Sequence, residues 1–172
     1  AHLNLADYYT HAGQIDKGLR SYERALELND RGGNARWKHG LALLINGEPE
    51  RARVEFELEP GEEYREHGLA LAYHDLGRLD ESQAMFDIMV EEGAEPWPFG
   101  LARAYAWIGD AENTFHFLEK SVEQNFLLMG GLGRHPLFYK LHDDPRWMPF
   151  LESIGQAPDQ LERLRLEIEI PD

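Results

Sequence analysis

Four glycines, Gly13, Gly47, Gly77 and Gly109, recur at intervals of 34, 30 and 32 residues, and the residue types around each of them return with the same spacing. Eight and seven positions before each glycine stands an apolar or small pair: Leu5 and Ala6, His39 and Gly40, Leu69 and Ala70, Leu101 and Ala102. Four before it stands a large residue, Tyr9, Leu43, Tyr73 or Tyr105. Five after it comes a small one (Gly18, Ala52, Ser82, Thr114), and nine after it a bulky one (Tyr22, Phe56, Phe86, Leu118). A unit this short cannot bury its own apolar face, so neighbouring units must stack to make a core. Small residues let two helices of a hairpin approach closely, and the large ring or branched chain fills the space toward the next hairpin. Each glycine falls where the first helix must stop and the chain reverse, a left-handed position costly to other residues. The spacing predicts helix pairs over 2–12 and 16–29, 34–46 and 49–58, 63–76 and 80–92, and 98–108 and 112–125. The interval of 30 predicts a shortened second helix in the second pair, ahead of Pro60 and Gly61. Gln14, Glu48, Asp80 and Asp110 suit the starts of the second helices.

This pattern resembles the tetratricopeptide repeat family, whose units run W-x2-L-G-x2-Y, then A-x3-F-x2-A, then P. The best match is LADYYTHAGQIDKGLRSYERALELND, from Leu5 to Asp30, and the resemblance extends over about residues 1–125. It implies an all-α, right-handed superhelical solenoid of about four helix hairpins over 1–128, with a C-terminal helical cap over 129–172 packed on the last repeat. In that cap, Met129, Gly130, Gly131, Leu132 and Gly133 read as a flexible break. Asp144 and Pro145 of DDPRW read as the N-cap and first residue of a helix, and Leu137, Phe138, Leu141, Trp147, Phe150 and Leu151 are expected to cover the fourth hairpin. Residues 136–155 also resemble the closing segment of tetratricopeptide regions in bacterial multidomain regulators, which implies a regulatory module.

Charge narrows the partners. With 17 basic and 32 acidic side chains the formal net charge is −15, which opposes nucleic acid and anionic membrane. The chain has no cysteine, so disulfides, thiolate metal sites and cysteine nucleophiles are excluded. No run reaches the roughly 20 apolar residues of a membrane span, and the N-terminus lacks the regions of a signal peptide. The expected compartment is the cytoplasm, or the periplasm if the chain is part of a membrane-anchored regulator. His135, His142, Asp143 and Asp144 hold metal-ligating atoms without a metal-binding spacing, and the serines lack a nucleophile elbow. Neither an enzymatic activity nor a cofactor is therefore expected. Glu57, Glu59, Glu62, Glu63 and Glu66 form an acidic run that reads as solvated surface or as a dock for a basic partner.

The resemblance places the partner-binding groove on the first helix of each pair. By the glycine register its positions fall on Trp37, Leu41 and Ile45, on Tyr64, His67, Leu71 and His74, and on Arg103 and Trp107. Such an aromatic and aliphatic face suits a peptide or helix of a protein partner, with basic flanks favoured by the charge of the chain. Core and groove share these helices, so the same side chains either line a groove or pack between hairpins, and the C-terminal segment either caps the array or fills the groove. The lysine and asparagine positions of chaperone-tail-binding members fall here on Leu3 and Asp7, which argues against an acidic chaperone tail. Two readings follow: a scaffold that binds a peptide or helix, or a sensory or autoinhibitory domain of a larger regulator.

Overall fold

The computed structural model describes residues 2–28, 34–93, 96–124 and 131–163. Helices pair in chain order: α1 (His2–His11) with α2 (Ile15–Leu28), α3 (Ala35–Ile45) with α4 (Pro49–Glu57), α5 (Glu62–Asp75) with α6 (Leu79–Gly93), and α7 (Pro98–Ile108) with α8 (Ala111–Glu123). Two 3-10 helices, η1 (Leu132–Arg134) and η2 (Pro136–Leu141), and two short helices, α9 (Trp147–Ser153) and α10 (Pro158–Arg163), follow.

Each hairpin turns by one device. Gly13, Gly47, Gly77 and Gly109 take φ of 72, 77, 72 and 85°, the left-handed region in which a Cβ is strained. The glycine N–H and the next N–H then tie back to the end of the first helix, as from Gly47 to the Leu44 carbonyl and from Glu48 to the Leu43 carbonyl, both at 2.9 Å. The same two bonds recur at the other three turns. Of the residues expected to cap the second helices, Asp110 does so, accepting from Asn113 N–H at 3.0 Å. Gln14 and Glu48 instead bond outward to Lys17 and Arg51.

Inside the stack, Tyr22, Phe56, Phe86 and Leu118 are all buried, and the small residues facing them leave room for their bulk. Phe56 is the tightest case: a methyl group added to Gly40 of α3 or to Gly68 of α5 would overlap its ring. Leu5 is 43% exposed because no other described hairpin covers its side of α1. Helix α4 is short, with nine residues against 14 in α2 and 15 in α6. The residues it gives up form the loop at Pro60, and that loop has a structural use. Glu59 is buried, and its carboxylate accepts the backbone N–H groups of Trp37 and Gly61, each at 3.1 Å. Trp37 is the third residue of α3, so Glu59 satisfies a helix N-terminus that would otherwise be left unpaired. The acidic run is therefore not wholly solvated surface; one of its members, Glu59, is a buried cap.

The first helices form one layer, α1 touching α3, α3 touching α5 and α5 touching α7, and η2 lies against α7 beyond them. This layer is the inner side of the stack. It curves far enough for His135, just ahead of η2, to approach His11 of α1 with ring centres 5.4 Å apart.

Leu137, Phe138, Leu141, Trp147, Phe150 and Leu151 are buried, and Phe138 stacks between Phe99 of α7 (6.1 Å) and Trp147 (5.7 Å). Asp144 departs from its expected role. It accepts the Arg146 N–H at 2.9 Å and grips the Arg146 guanidinium at 2.8 Å, which closes a turn there and delays the helix to Trp147. Met129 and Gly130 of the glycine-rich break lie outside the described residues. From Gly131 onward that segment is packed rather than loose, with Leu132 buried and its N–H donating to Gln156 Oε1 at 3.0 Å.

Gly68→Ala should destabilise the fold by about 1–3 kcal/mol although alanine is the better helix former, because Phe56 has no room to yield. The urea-unfolding midpoint measures this. Phe56→Leu placed in the Gly68→Ala background should recover part of the loss, and a Gly68→Ala protein as stable as the parent would show that the ring is free to move.

Candidate functional site

The inner layer is joined across three hairpins by a run of aromatic contacts. Trp37 on α3 is buried, and its indole Nε1–H donates to Nδ1 of His67 on α5 at 3.0 Å. An indole is a donor only, so Nδ1 is the accepting nitrogen and the neutral His67 carries its proton on Nε2. That Nε2, turned toward the Gly100 carbonyl, completes no hydrogen bond of full geometry. Tyr64 lies 5.2 Å from Trp37, and Trp97 lies 5.4 Å from His67 and 5.5 Å from Tyr64. Trp97 is held between Pro96 and Pro98 at the start of α7, with its ring folded over Gly100, where no side chain would fit. The guanidinium of Arg103 sits over the rings of Trp37 (4.8 Å), Trp97 (5.3 Å) and Phe99 (5.2 Å).

Electrostatics follow from this burial. Arg103 is drawn down to about 10, so it stays charged at neutral pH. His67 is held well below its ordinary value, first by burial and then by the Arg103 charge. His135 is lowered to about 3, first by burial, then by Arg103 and His11. The cluster is thus one cation among neutral rings. Among the described residues, Arg103 has no carboxylate within ion-pair distance, and its buried Nε has no hydrogen-bond partner. The described residues also gather no group of three His, Asp or Glu that would hold a metal ion. His142 stacks on Trp147 and Asp144 holds Arg146, so the acidic and histidine set of that segment is spread over separate contacts.

Comparison with known families matches the tetratricopeptide repeat over residues 1–31 and again over residues 66–87. The first match spans α1 and α2, and the second spans most of α5 and the first part of α6, the same phase of the hairpin. The chain carries tetratricopeptide repeats. No curated protein matches it significantly. Repeats of this family mediate protein–protein interaction, and no described helix is long and apolar enough to cross a membrane.

In this tetratricopeptide array the expected groove positions divide. Trp37, Leu41, His67 and Leu71 are buried, with His67 and Leu71 at 0% exposure, so they form the joints between hairpins. Ile45, Tyr64, His74, Arg103 and Trp107 keep surface open. Trp107 is fixed from two sides: its Nε1–H donates to both carboxylate oxygens of Asp75 at 3.1 Å, and Lys140 lies over its ring and donates to its carbonyl. Asp7 and Lys38, also on the inner helices, pair with each other at 2.6 Å while Asp7 accepts from Tyr22 at 2.5 Å. Sequence reasoning passed over Trp97 and the inward position of His135. The phrase Pro96–Trp97–Pro98 with Gly100 following is the local signal for Trp97, a ring on a stiff backbone beside a residue that leaves it space.

A histidine neutral in the fold but free to take a proton when unfolded lowers stability as pH falls. For His67 and His135 the contribution is complete above about 6.5 and is lost as pH drops from there, by up to about 1.4 kcal/mol per unit for each, the loss from His135 continuing toward about 3. Chemical denaturation between pH 7 and 4.5 should therefore show a declining stability. His135→Asn, which keeps an acceptor for the Leu137 N–H, should make the decline shallower. An unchanged slope would place His135 in contact with solvent.

Proposed function

We propose that the chain holds a peptide or helix of a protein partner on its inner face, against Tyr64, Arg103 and Trp107, with Ile45 and His74 beside them. What supports this reading most is an asymmetry between the two layers. On and beside the second helices most cations are satisfied locally, Arg24 by Glu27 and Arg51 by Glu48 at 2.6 Å, Arg53 by Glu50 and Glu57, and Arg78 by Glu81, while Arg20 of α2 is exposed to water. Exposed pairs of this kind are self-contained and offer a partner little. The first helices present aromatic surface and Arg103 without such pairing, and aromatic and arginine side chains supply most interface anchors.

In this reading residues 1–128 are the receptor, and the segment from 129 to 172 closes the fourth hairpin and walls one side of the groove, where His135 faces His11. The net charge of −15 favours basic flanks on the partner and disfavours nucleic acid and anionic lipid. The reading needs no cofactor and assigns no catalytic step.

A partner captured with the intact chain, then titrated against folded variants, tests the assignment. Trp107→Ala or Tyr64→Ala should cost about 2 kcal/mol, roughly thirtyfold in Kd, with circular dichroism as the folding control. Added salt should slow association more than it alters dissociation. Unchanged affinity in both variants, or a footprint confined to α2, α4, α6 and α8, would sink the inner-face assignment.

A further inference from the structure

We propose that the guanidinium of Arg103 receives the side-chain carboxylate of a glutamate or aspartate within the partner segment, an inference that rests on the inner-face reading above. Other partly buried arginines have found a carboxylate: Arg36 holds Glu55 at 2.9 Å, Arg53 holds Glu50 at 2.8 Å, and Arg65 approaches Glu62 at 3.6 Å. Arg20 and Arg134 have no such partner among the described residues, but both are exposed and water serves them. Arg103 is the exception: it is only partly open to solvent, its Nε is buried without a hydrogen-bond partner, and no described carboxylate pairs with it. A chain with 32 acidic side chains brings none of the described ones to it.

The surroundings fix what can complete the site. Rings of Trp37, Trp97 and Phe99 cover the faces of the guanidinium, which leaves its N–H edge for a ligand. That edge is a planar fork matched to a carboxylate, and the bond gains strength where water is scarce. His67 and His135, both neutral there, add no second positive charge to repel the guanidinium or to attract an anion of their own. Rings around a cation offset part of its desolvation, but they satisfy none of its hydrogen-bond donors. The position along the groove favours an internal residue over a chain end. Tyr64 packs against Trp37, one of the rings over Arg103, and Trp107 stands one helical turn along α7, so apolar groups flanking the acid would find rings.

Sodium propionate, a carboxylate on a short aliphatic stem, is the direct probe on the intact chain. Its titration should shift the Arg103 Nε–H resonance saturably, whereas propionamide should not. No response at Arg103, or an equal response to propionamide, would overturn the proposal.

Short random peptides selected by display on the same chain then separate the two readings. Selected sequences should carry an acid between apolar residues, and its exchange to the amide should weaken binding about tenfold or more to the parent. The exchange should have no effect with Arg103→Gln. Arg103→Lys keeps the charge if Arg103→Gln fails to fold, and should retain only part of the acid preference because lysine lacks the fork. Selected peptides that need Trp107 yet ignore the exchange would overturn the carboxylate proposal and leave the inner-face reading standing. Dependence on a free C-terminus, lost on amidation, would overturn the choice of a side chain. Saturable propionate with no selected peptide would leave the carboxylate site and remove the inner-face reading.

Discussion

A helix that ends on a left-handed glycine, with the following N–H tied back to the carbonyl five residues earlier, leaves the chain one direction in which to continue. Four such turns, each with the same pair of bonds, set each first helix against its second. Everything else is built on that direction. Because the small residues recur at fixed distances from the glycine, the close approach of the two helices falls at the same height in each hairpin, and the bulky residue nine positions on meets the next hairpin. Phe56 between Gly40 and Gly68 is where this arithmetic is tightest. The constraint is local in sequence, but its product is a layer of first helices that no single hairpin could make.

The inner layer is then held by contacts of a different kind. Core aliphatic chains join hairpins within each step, whereas Trp37, His67, Trp97 and Arg103 join the second, third and fourth hairpins in one run. Polar atoms in such a run are costly unless paired. The indole–imidazole bond settles one donor and one acceptor, and burial keeps the imidazole neutral. Arg103 cannot shed its proton at neutral pH and keeps a buried Nε–H without a partner. The remaining imbalance of the cluster is therefore shared between His67 Nε2 and Arg103 Nε, and of the two only Arg103 carries charge.

Helix order and type were legible in the sequence because glycine, small residue and ring each leave a mark at a fixed offset. The observed helices fall within a residue or two of the ranges that those offsets predict. Side-chain roles were less legible. Trp37 and Trp107 are both tryptophans on first helices, yet one is a joint and the other keeps surface, a difference set by how closely α5 and η2 approach them. Glu59 reads as one acid in a run of acids, and only the return of the loop to the N-terminus of α3 makes it a buried cap. Asp144 carries a capping signature that the side chain of Arg146 captures first. His135 reads as an isolated histidine in a tail, since its approach to His11 depends on the curvature of the whole inner layer. Local rules place backbone, and long-range closure assigns side chains.

The same division explains why core and groove coexist on one set of helices. On α5, His67 and Leu71 stand one turn apart and turn into the stack, while Tyr64 and His74 lie beside that stripe with surface to spare. On α7, Ala104 and Ala106 are buried while Arg103 and Trp107, again one turn apart, face the inner side. A ligand on this face would meet side chains whose positions are already fixed by packing: the rings over Arg103 by three hairpins, and Trp107 by Asp75 and Lys140. Little conformational freedom remains to be lost there on association, and preorganisation of that kind raises affinity without adding contacts. The buried joints thus contribute to recognition indirectly, by holding the exposed stripe in one geometry.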